Sequence, residues 1–260
     1  MTGPGLKRRA QRALERQLDY QRLKSARVRG TEAGIIVAMI QRSREVREKL
    51  ERIRVLPAGI SALEVGSGAH GLIFYFEAEE RVGVDPLADH YRALFPAWQS
   101  RAKTIAAGGE QLPCPSESFD VVLCDNVVDH AENPRKICEE MARVLRPGGL
   151  LYFTVNIHHP AYHLASSLHA AWRSVGVPFE ITPFADHTVH LTLDAARRLF
   201  DELPLQIIEE SDTIAASRRA EWIGQRRHLG DRLKRWFFKN ARWEVIAVKE
   251  SELAPPPPAP

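Results

Sequence analysis

From Ala62 onward, short apolar runs alternate with segments of helical period, the pattern left by strands and helices in βαβ units. The runs predict strands at Ser61–Val65, Arg81–Asp85, Lys103–Ala106, Phe119–Cys124, Leu150–Val155, Leu205–Glu209 and Trp243–Val248. The expected fold class is α/β, with a doubly wound, seven-stranded and mostly parallel sheet. The clearest intervening helix starts at Asn133, with Pro134 in the first helical position, where a missing N–H costs nothing. Ile137, Met141, Val144 and Leu145 form its apolar stripe. Arg146-Pro147-Gly148-Gly149 is expected to stop that helix and turn the chain into the next strand.

Ahead of the sheet, residues 5–28 read as a polar, basic helix. Gly30 interrupts it, and Thr31 is placed to cap a second helix that runs to about Ile53. Ile35, Ile36, Ala38, Met39, Ile40 and Val46 crowd the first half of that helix, so this half is expected to pack on the main domain. The charged second half is expected to face water. The chain thus divides into an N-terminal helical extension over 1–55, one domain over 56–250 and a proline-rich tail over 251–260. Within the domain, residues 157–190 are rich in His, Pro and small side chains and follow the fifth strand. An insertion at the carboxyl end of a strand lies where open α/β sheets bind ligands, which marks it as a lid.

Composition changes this picture little. At 260 residues with 44% hydrophobic and 27% charged positions, the chain is sized and mixed for one globular core. Its longest apolar stretch, Gly34–Ile40, is well short of the ~20 residues that span a bilayer. No apolar segment with a small-residue cleavage site follows the basic N-terminus. Cys114, Cys124 and Cys138 are odd in number and lack metal-ligand spacing, so a reducing cytoplasm is the expected compartment. The net charge of +3 is concentrated at the ends, in Lys7, Arg8, Arg9, Arg12 and Arg16 and in Arg226, Arg227, Arg232, Lys234, Arg235 and Lys239. Such ends are candidates for contact with anionic groups or a membrane surface, set against the plainer reading of solvated helix faces.

The first chemistry-bearing motif is Leu63-Glu64-Val65-Gly66-Ser67-Gly68-Ala69-His70-Gly71, a glycine turn that follows a strand and is expected to open a helix. Nineteen residues after Gly66 the second strand ends at Asp85, followed by Pro86. A carboxylate at that strand tip is placed to accept hydrogen bonds from both hydroxyls of a ribose, which implies an adenosine-containing ligand. Gly66, Gly68 and Gly71 also satisfy the dinucleotide fingerprint, so an NAD-dependent oxidoreductase is an alternative. The downstream series separates the two. It reads Glu110-Gln111-Leu112-Pro113, Ser118-Phe119-Asp120-Val121-Val122, Asp129-His130 and Leu145-Arg146-Pro147-Gly148-Gly149. Hydride transfer needs none of it.

In order and spacing these segments resemble the class I S-adenosylmethionine-dependent methyltransferases, in the small-molecule branch of the ubiquinone and menaquinone biosynthesis enzymes, methyltransferase type 11. The resemblance covers about Leu63 to Asn156 and implies a Rossmann-like methyltransferase fold and S-adenosyl-L-methionine as methyl donor. It implies that Glu64, Gly66, Ser67 and Gly68 hold the methionine end, that Asp85 meets the ribose, and that Pro86 packs near the adenine. It further implies that Glu110, Gln111 and Leu112 border the adenine, that Asp125 and Asn126 lie beneath the methionine portion, and that His130 stands near the reactive end. Two positions depart from the family pattern. His70 replaces its third glycine, and Gly108 stands where an acid often contacts adenine.

Methyl transfer to a hydroxyl needs a base, and histidine suits that task near neutral pH. His158 and His159, directly after the fifth strand, and then His130 are the candidate bases for O-methylation of a small molecule. His163, His169, His187 and His190 lie further along the lid. No metal is expected, because Pro160 interrupts the histidine spacing and no carboxylate or cysteine completes a shell. Trp222, Trp236, Phe237, Phe238 and Trp243 interleave with basic residues, which keeps an RNA or lipid-carrier-linked substrate as an alternative. Nucleic acid is the weaker of these, since neither an RNA-binding module nor an Asn-Pro-Pro-Tyr motif occurs. A non-catalytic partner protein that binds the same donor is the remaining alternative.

Overall fold

The computed structural model describes the backbone of residues 4–160, 191–223 and 241–251, with side chains from Glu15 to Pro160, Leu191 to Ala220 and Ala241 to Ser251. Two helices come first, α1 (Pro4–Val28) and α2 (Glu32–Ile53). The sheet follows as β1 (Ser61–Val65), β2 (Glu80–Val84), β3 (Lys103–Ile105), β4 (Phe119–Asp125), β5 (Leu145–Ile157), β6 (Leu205–Asp212) and β7 (Ala241–Lys249). Helices α3 (Ala88–Leu94) and α4 (Pro96–Gln99) lie between β2 and β3, and α5 (Pro134–Val144) between β4 and β5. Two more, α6 (Leu193–Arg197) and α7 (Ile214–Ile223), flank β6.

The strand order is β3-β2-β1-β4-β5-β7-β6. The first five strands are parallel, while β7 runs antiparallel between β5 and β6. A dinucleotide fold built from two mononucleotide-binding halves has the order 3-2-1-4-5-6, so the reversed seventh strand sets this sheet apart. Parallel pairing aligns the carboxyl ends of β1, β2 and β4: Val65 pairs with Val84, and Glu64 with Leu123.

Alternate residues along the strands feed two apolar layers, as the two-residue period of a strand requires. Leu63, Val122, Cys124, Leu151 and Phe153 face α5, joining Ile137, Met141, Phe200 and Trp243. Ala62, Val121, Leu123, Leu150 and Tyr152 face the other way, joining Phe74, Phe76, Tyr91 and Trp98 with Met39, Val46 and Leu50 of α2. Glu64, between Leu63 and Val65 on β1, therefore belongs to the α2 face.

Three local expectations are corrected. The second half of α2 is not water-facing: Ser43, Val46 and Leu50 are buried there, in line with buried Met39 of the first half. Their spacing of four, three and four places them on one face of a 3.6-residue helix, whereas Val37, in the apolar first half, is 63% exposed. Thr31 precedes α2, but its hydroxyl donates to the Val28 carbonyl and makes no capping bond. Arg146–Gly149 ends α5 without standing apart from the next strand. The four residues lie within β5 and bulge from its ladder between the pairs Phe119–Leu145 and Val121–Leu150. The expected cap of α5 does form, with Asn133 Oδ1 accepting from Lys136 N at 3.1 Å. Thr192 similarly caps α6, accepting from Ala195 N at 3.2 Å.

Candidate functional site

The glycine turn leaves β1 with Gly66 and Gly68 at φ +71° and +54°, a region that side-chain-bearing residues rarely adopt. The N–H groups of Gly66 and Ser67 donate to Val84 O at 2.7 and 3.2 Å, joining the turn to β2. A Cβ built on Gly68 would meet nothing nearer than Gly66 O at 3.9 Å, so that face of the turn is open. No α-helix follows. The chain makes only a single 3-10 turn, Leu72–Phe74, whose three residues are buried. The reason is local: buried Glu64 accepts from Leu72 N at 3.1 Å and Ile73 N at 2.9 Å, and α2 packs over the turn with Ser43 Oγ on Leu72 O at 2.7 Å. Burial is the chief cause that lifts the Glu64 carboxyl from its usual 4.5 to about 8.

Asp85, one residue beyond β2, takes the N–H of Gly68 at 3.0 Å on one oxygen and that of Leu87 at 2.8 Å on the other. Burial raises its pKa, while these two bonds act to lower it. Each carboxylate oxygen keeps a further lone pair for a hydroxyl donor. Pro86 is exposed beside it. Two residues that sequence reasoning missed hold the turn from behind. Trp98 Nε1 donates to Ala69 O at 2.7 Å, and Gln99 Nε2 reaches Gly68 O at 3.1 Å and Ala69 O at 3.2 Å. Nothing in the sequence links α4 to the glycines 30 residues earlier. His70, at the departed third-glycine position, packs its ring 4.9 Å from Phe95 and 5.3 Å from Trp98, and burial pushes its pKa down to about 4.

After β3, Glu110 Oε1 accepts from Glu132 N at 3.1 Å, which ties that loop to the one following β4. Gln111 is exposed, and Leu112 is buried with its N–H on Glu140 at 2.8 Å. At the end of β4, Asp125 accepts from Thr154 Oγ1 at 2.7 Å and pairs with Arg42 of α2. Asn126, at φ +58°, accepts from Asn156 N at 3.1 Å, so the tips of β4 and β5 are bonded together. His130 is 44% exposed and lies 3.8 Å from the buried Asp129 carboxylate. His158 is buried at the end of β5 with its N–H on Leu191 O at 2.8 Å. His159 beside it is half-buried, and burial followed by the nearby Arg218 lowers its pKa, favouring the neutral imidazole.

The sheet therefore gathers the glycine turn, Asp85, the Glu110 segment, Asp125, Asn126, His158 and His159 along one carboxyl edge. His130 stands toward solvent on the loop after β4. His163, His169, His187 and His190, the basic run Arg226–Lys239 and its aromatics, the Trp222 side chain and the proline-rich tail lie outside the described residues. Among the described residues no cluster of three metal-ligating side chains occurs and no helix is long and apolar enough to cross a membrane.

The geometry weighs against a dinucleotide. A pyrophosphate needs main-chain N–H groups at the end of the glycine turn. Here the N–H groups of Leu72 and Ile73 already donate to the Glu64 carboxyl.

Comparison with known proteins points the same way. Residues 63–153 match the family described as a methyltransferase domain. An uncharacterized methyltransferase of Mycobacterium sp. (strain JLS) is 36% identical over 103 residues, 39% of this chain and 40% of the relative. This chain thus spans about 40% of the length of the curated relative it matches. Among solved structures, a geranyl diphosphate methyltransferase in complex with SAM superposes with a TM-score of 0.56 at 13% identity, covering 85% of this chain and 91% of that one. The [4+2]-cyclase SpnF superposes at 0.52 with 17% identity, covering 79% of this chain and 80% of that one. At such identities the likeness is one of fold.

Proposed function

We propose, on the premise that residues 63–153 form a class I methyltransferase domain, that this protein transfers a methyl group from S-adenosyl-L-methionine to a hydroxyl of a small molecule. The observation that carries the reading is the Asp85 carboxylate, bonded to Gly68 N at 3.0 Å at the carboxyl edge of a sheet whose glycine turn has its terminal N–H groups filled by Glu64. Such an edge suits a ribose and a cationic ligand end better than a pyrophosphate. The residues present suit the donor: Gly68 offers an open face, Asp85 keeps lone pairs free for ribose hydroxyls, and Asp125 with Arg42 offers both signs of charge to an amino-acid end.

When bound, S-adenosylmethionine supplies a sulfonium methyl group that leaves by in-line displacement. The chain's own work is to position the partners and exclude water. In this reading Glu64, Gly66, Ser67 and Gly68 shape the methionine end, Glu110 to Leu112 border the base, and Asn126 and His130 stand near the reactive end. His158 and His159 are the candidates for taking the acceptor's proton, and a depressed pKa keeps His159 neutral for that task at pH 7. Of the lid expected over 157–190, residues 161–190 lie outside the described residues. A reducing cytoplasm suits the three free cysteines.

The test is turnover. The protein is incubated with methyl-labelled donor and a metabolite extract, and the labelled product is identified by mass spectrometry. A labelled oxygen-linked methyl group is the expected result, lost in His158→Ala or His159→Ala with donor binding retained. Donor binding without any transferred label would instead assign a non-catalytic role, and label on nitrogen or carbon would overturn the O-methylation reading.

A further inference from the structure

The second half of helix α2, together with Arg54 just beyond it, is held on the domain by polar bonds. Ser43 reaches Leu72 O, Arg47 reaches the carbonyls of Leu56 and Glu77, Lys49 pairs with Glu244, and Arg54 reaches Gly148 O at 2.6 Å. Arg42 differs from these in where its partner lies. It crosses 83 positions of sequence to Asp125, at the carboxyl tip of β4, on the edge where the glycine turn sits. The Asp125 side chain is only 9% exposed, whereas that of Arg42 is 44% exposed. Asp125 also keeps the Thr154 hydroxyl at 2.7 Å, so it remains hydrogen-bonded if the guanidinium turns elsewhere. Parallel pairing sets Glu64 of β1 opposite Leu123 of β4, so Asp125, two residues further on, lies level with Gly66 at the start of the glycine turn.

A guanidinium is a planar fork that matches a carboxylate, and half of this one is turned to solvent at the mouth of the site. The amino-acid end of the donor carries an ammonium and a carboxylate one carbon apart. Asp125 and Arg42 present the complementary pair.

We infer that Arg42 of α2 receives the carboxylate of the donor's amino-acid end, exchanging or sharing its bond to Asp125 as the ligand enters. The inference rests on the methyl-donor reading and extends the site to a helix outside the matched domain. α2 then contributes a donor-binding residue as well as packing the sheet. Ligand entry replaces one ion pair with another, so the guanidinium is never left without a counter-charge.

Two ligands distinguish this role from a general packing role: S-adenosylhomocysteine, which has the amino-acid end, and 5′-methylthioadenosine, which keeps the nucleoside and sulfur without it. Both are titrated calorimetrically into the full chain, into Arg42→Gln and into Arg42→Lys, with melting curves recorded for each. Arg42→Gln should weaken S-adenosylhomocysteine about 10- to 100-fold, the size expected of a charge-assisted bond, and leave 5′-methylthioadenosine within about twofold. Arg42→Lys should recover part of the loss. An unchanged affinity for S-adenosylhomocysteine, or equal losses for both ligands, overturns the assignment while the donor reading stands. Failure of the wild-type chain to bind either ligand overturns both.

Discussion

Both carboxyl oxygens of Glu64 lie within hydrogen-bond reach of backbone N–H groups, yet burial still raises its pKa from 4.5 to about 8. The folded state therefore holds the Glu64 proton more tightly than the unfolded chain does. Its contribution to stability is fully present below about pH 4.5 and declines as pH rises toward 8, where the folded carboxyl also ionises. Urea midpoints between pH 5 and 9 should fall with rising pH in the wild type and fall less steeply in Glu64→Gln. Equal slopes would show that Glu64 is ionised throughout. Asp85 is the second residue whose role can be measured singly. If its free lone pairs accept the ribose hydroxyls, Asp85→Ala should cost about 1.5–3 kcal/mol of S-adenosylhomocysteine binding by calorimetry. An unchanged dissociation constant would leave Asp85 only as the clamp on Gly68 and Leu87 N–H.

At the scale of elements, α2 and α4 do the most to position the site, and neither belongs to the glycine motif. Trp98 and Gln99 of α4 hold the carbonyls of Gly68 and Ala69, so the shape of the turn depends on a four-residue helix. α2 covers the 3-10 turn and carries Arg42 to Asp125, with Leu50 wholly buried beneath it. Leu50→Ala should destabilise the fold by about 2–5 kcal/mol through lost burial and the cavity left behind. Chemical denaturation measures this directly. A loss below 1 kcal/mol would mean that α2 packs only loosely. The helix expected after the glycine turn is missing for a related reason, since the Glu64 carboxyl and α2 both compete for the short stretch before β2.

For the molecule as a whole, the antiparallel β7 and the filled N–H groups at Leu72 and Ile73 argue against a dinucleotide. A ligand that binds only the folded state stabilises it by RT ln(1 + [L]/Kd), about 2.7 kcal/mol at a hundredfold excess over Kd. S-adenosylhomocysteine should therefore raise the melting temperature in a concentration-dependent way, and NAD should leave it unchanged at equal concentration. The opposite pattern in a thermal-shift titration would reverse the reading.

The strand positions and the glycine turn with its Asp85 were legible without coordinates. β1 begins and ends at the residues expected, β2 shifts by one, β3 stops one residue early, and the remaining strands extend beyond the expected runs, β5 the furthest because it starts at Leu145. Alternation and turn chemistry act between near neighbours, so the chain order preserves them. The burial of α2 was misjudged from the crowding of its apolar residues, because the angular position of Met39, Ser43, Val46 and Leu50 matters more than their density. The pairing of Arg42 with Asp125, the hold of Trp98 and Gln99 on the glycine turn, and the capture of the Leu72 and Ile73 N–H groups by Glu64 were decided by tertiary structure alone. Each depends on which face of the sheet a side chain leaves and on which distant helix covers it. A linear pattern fixes neither until the layers have packed.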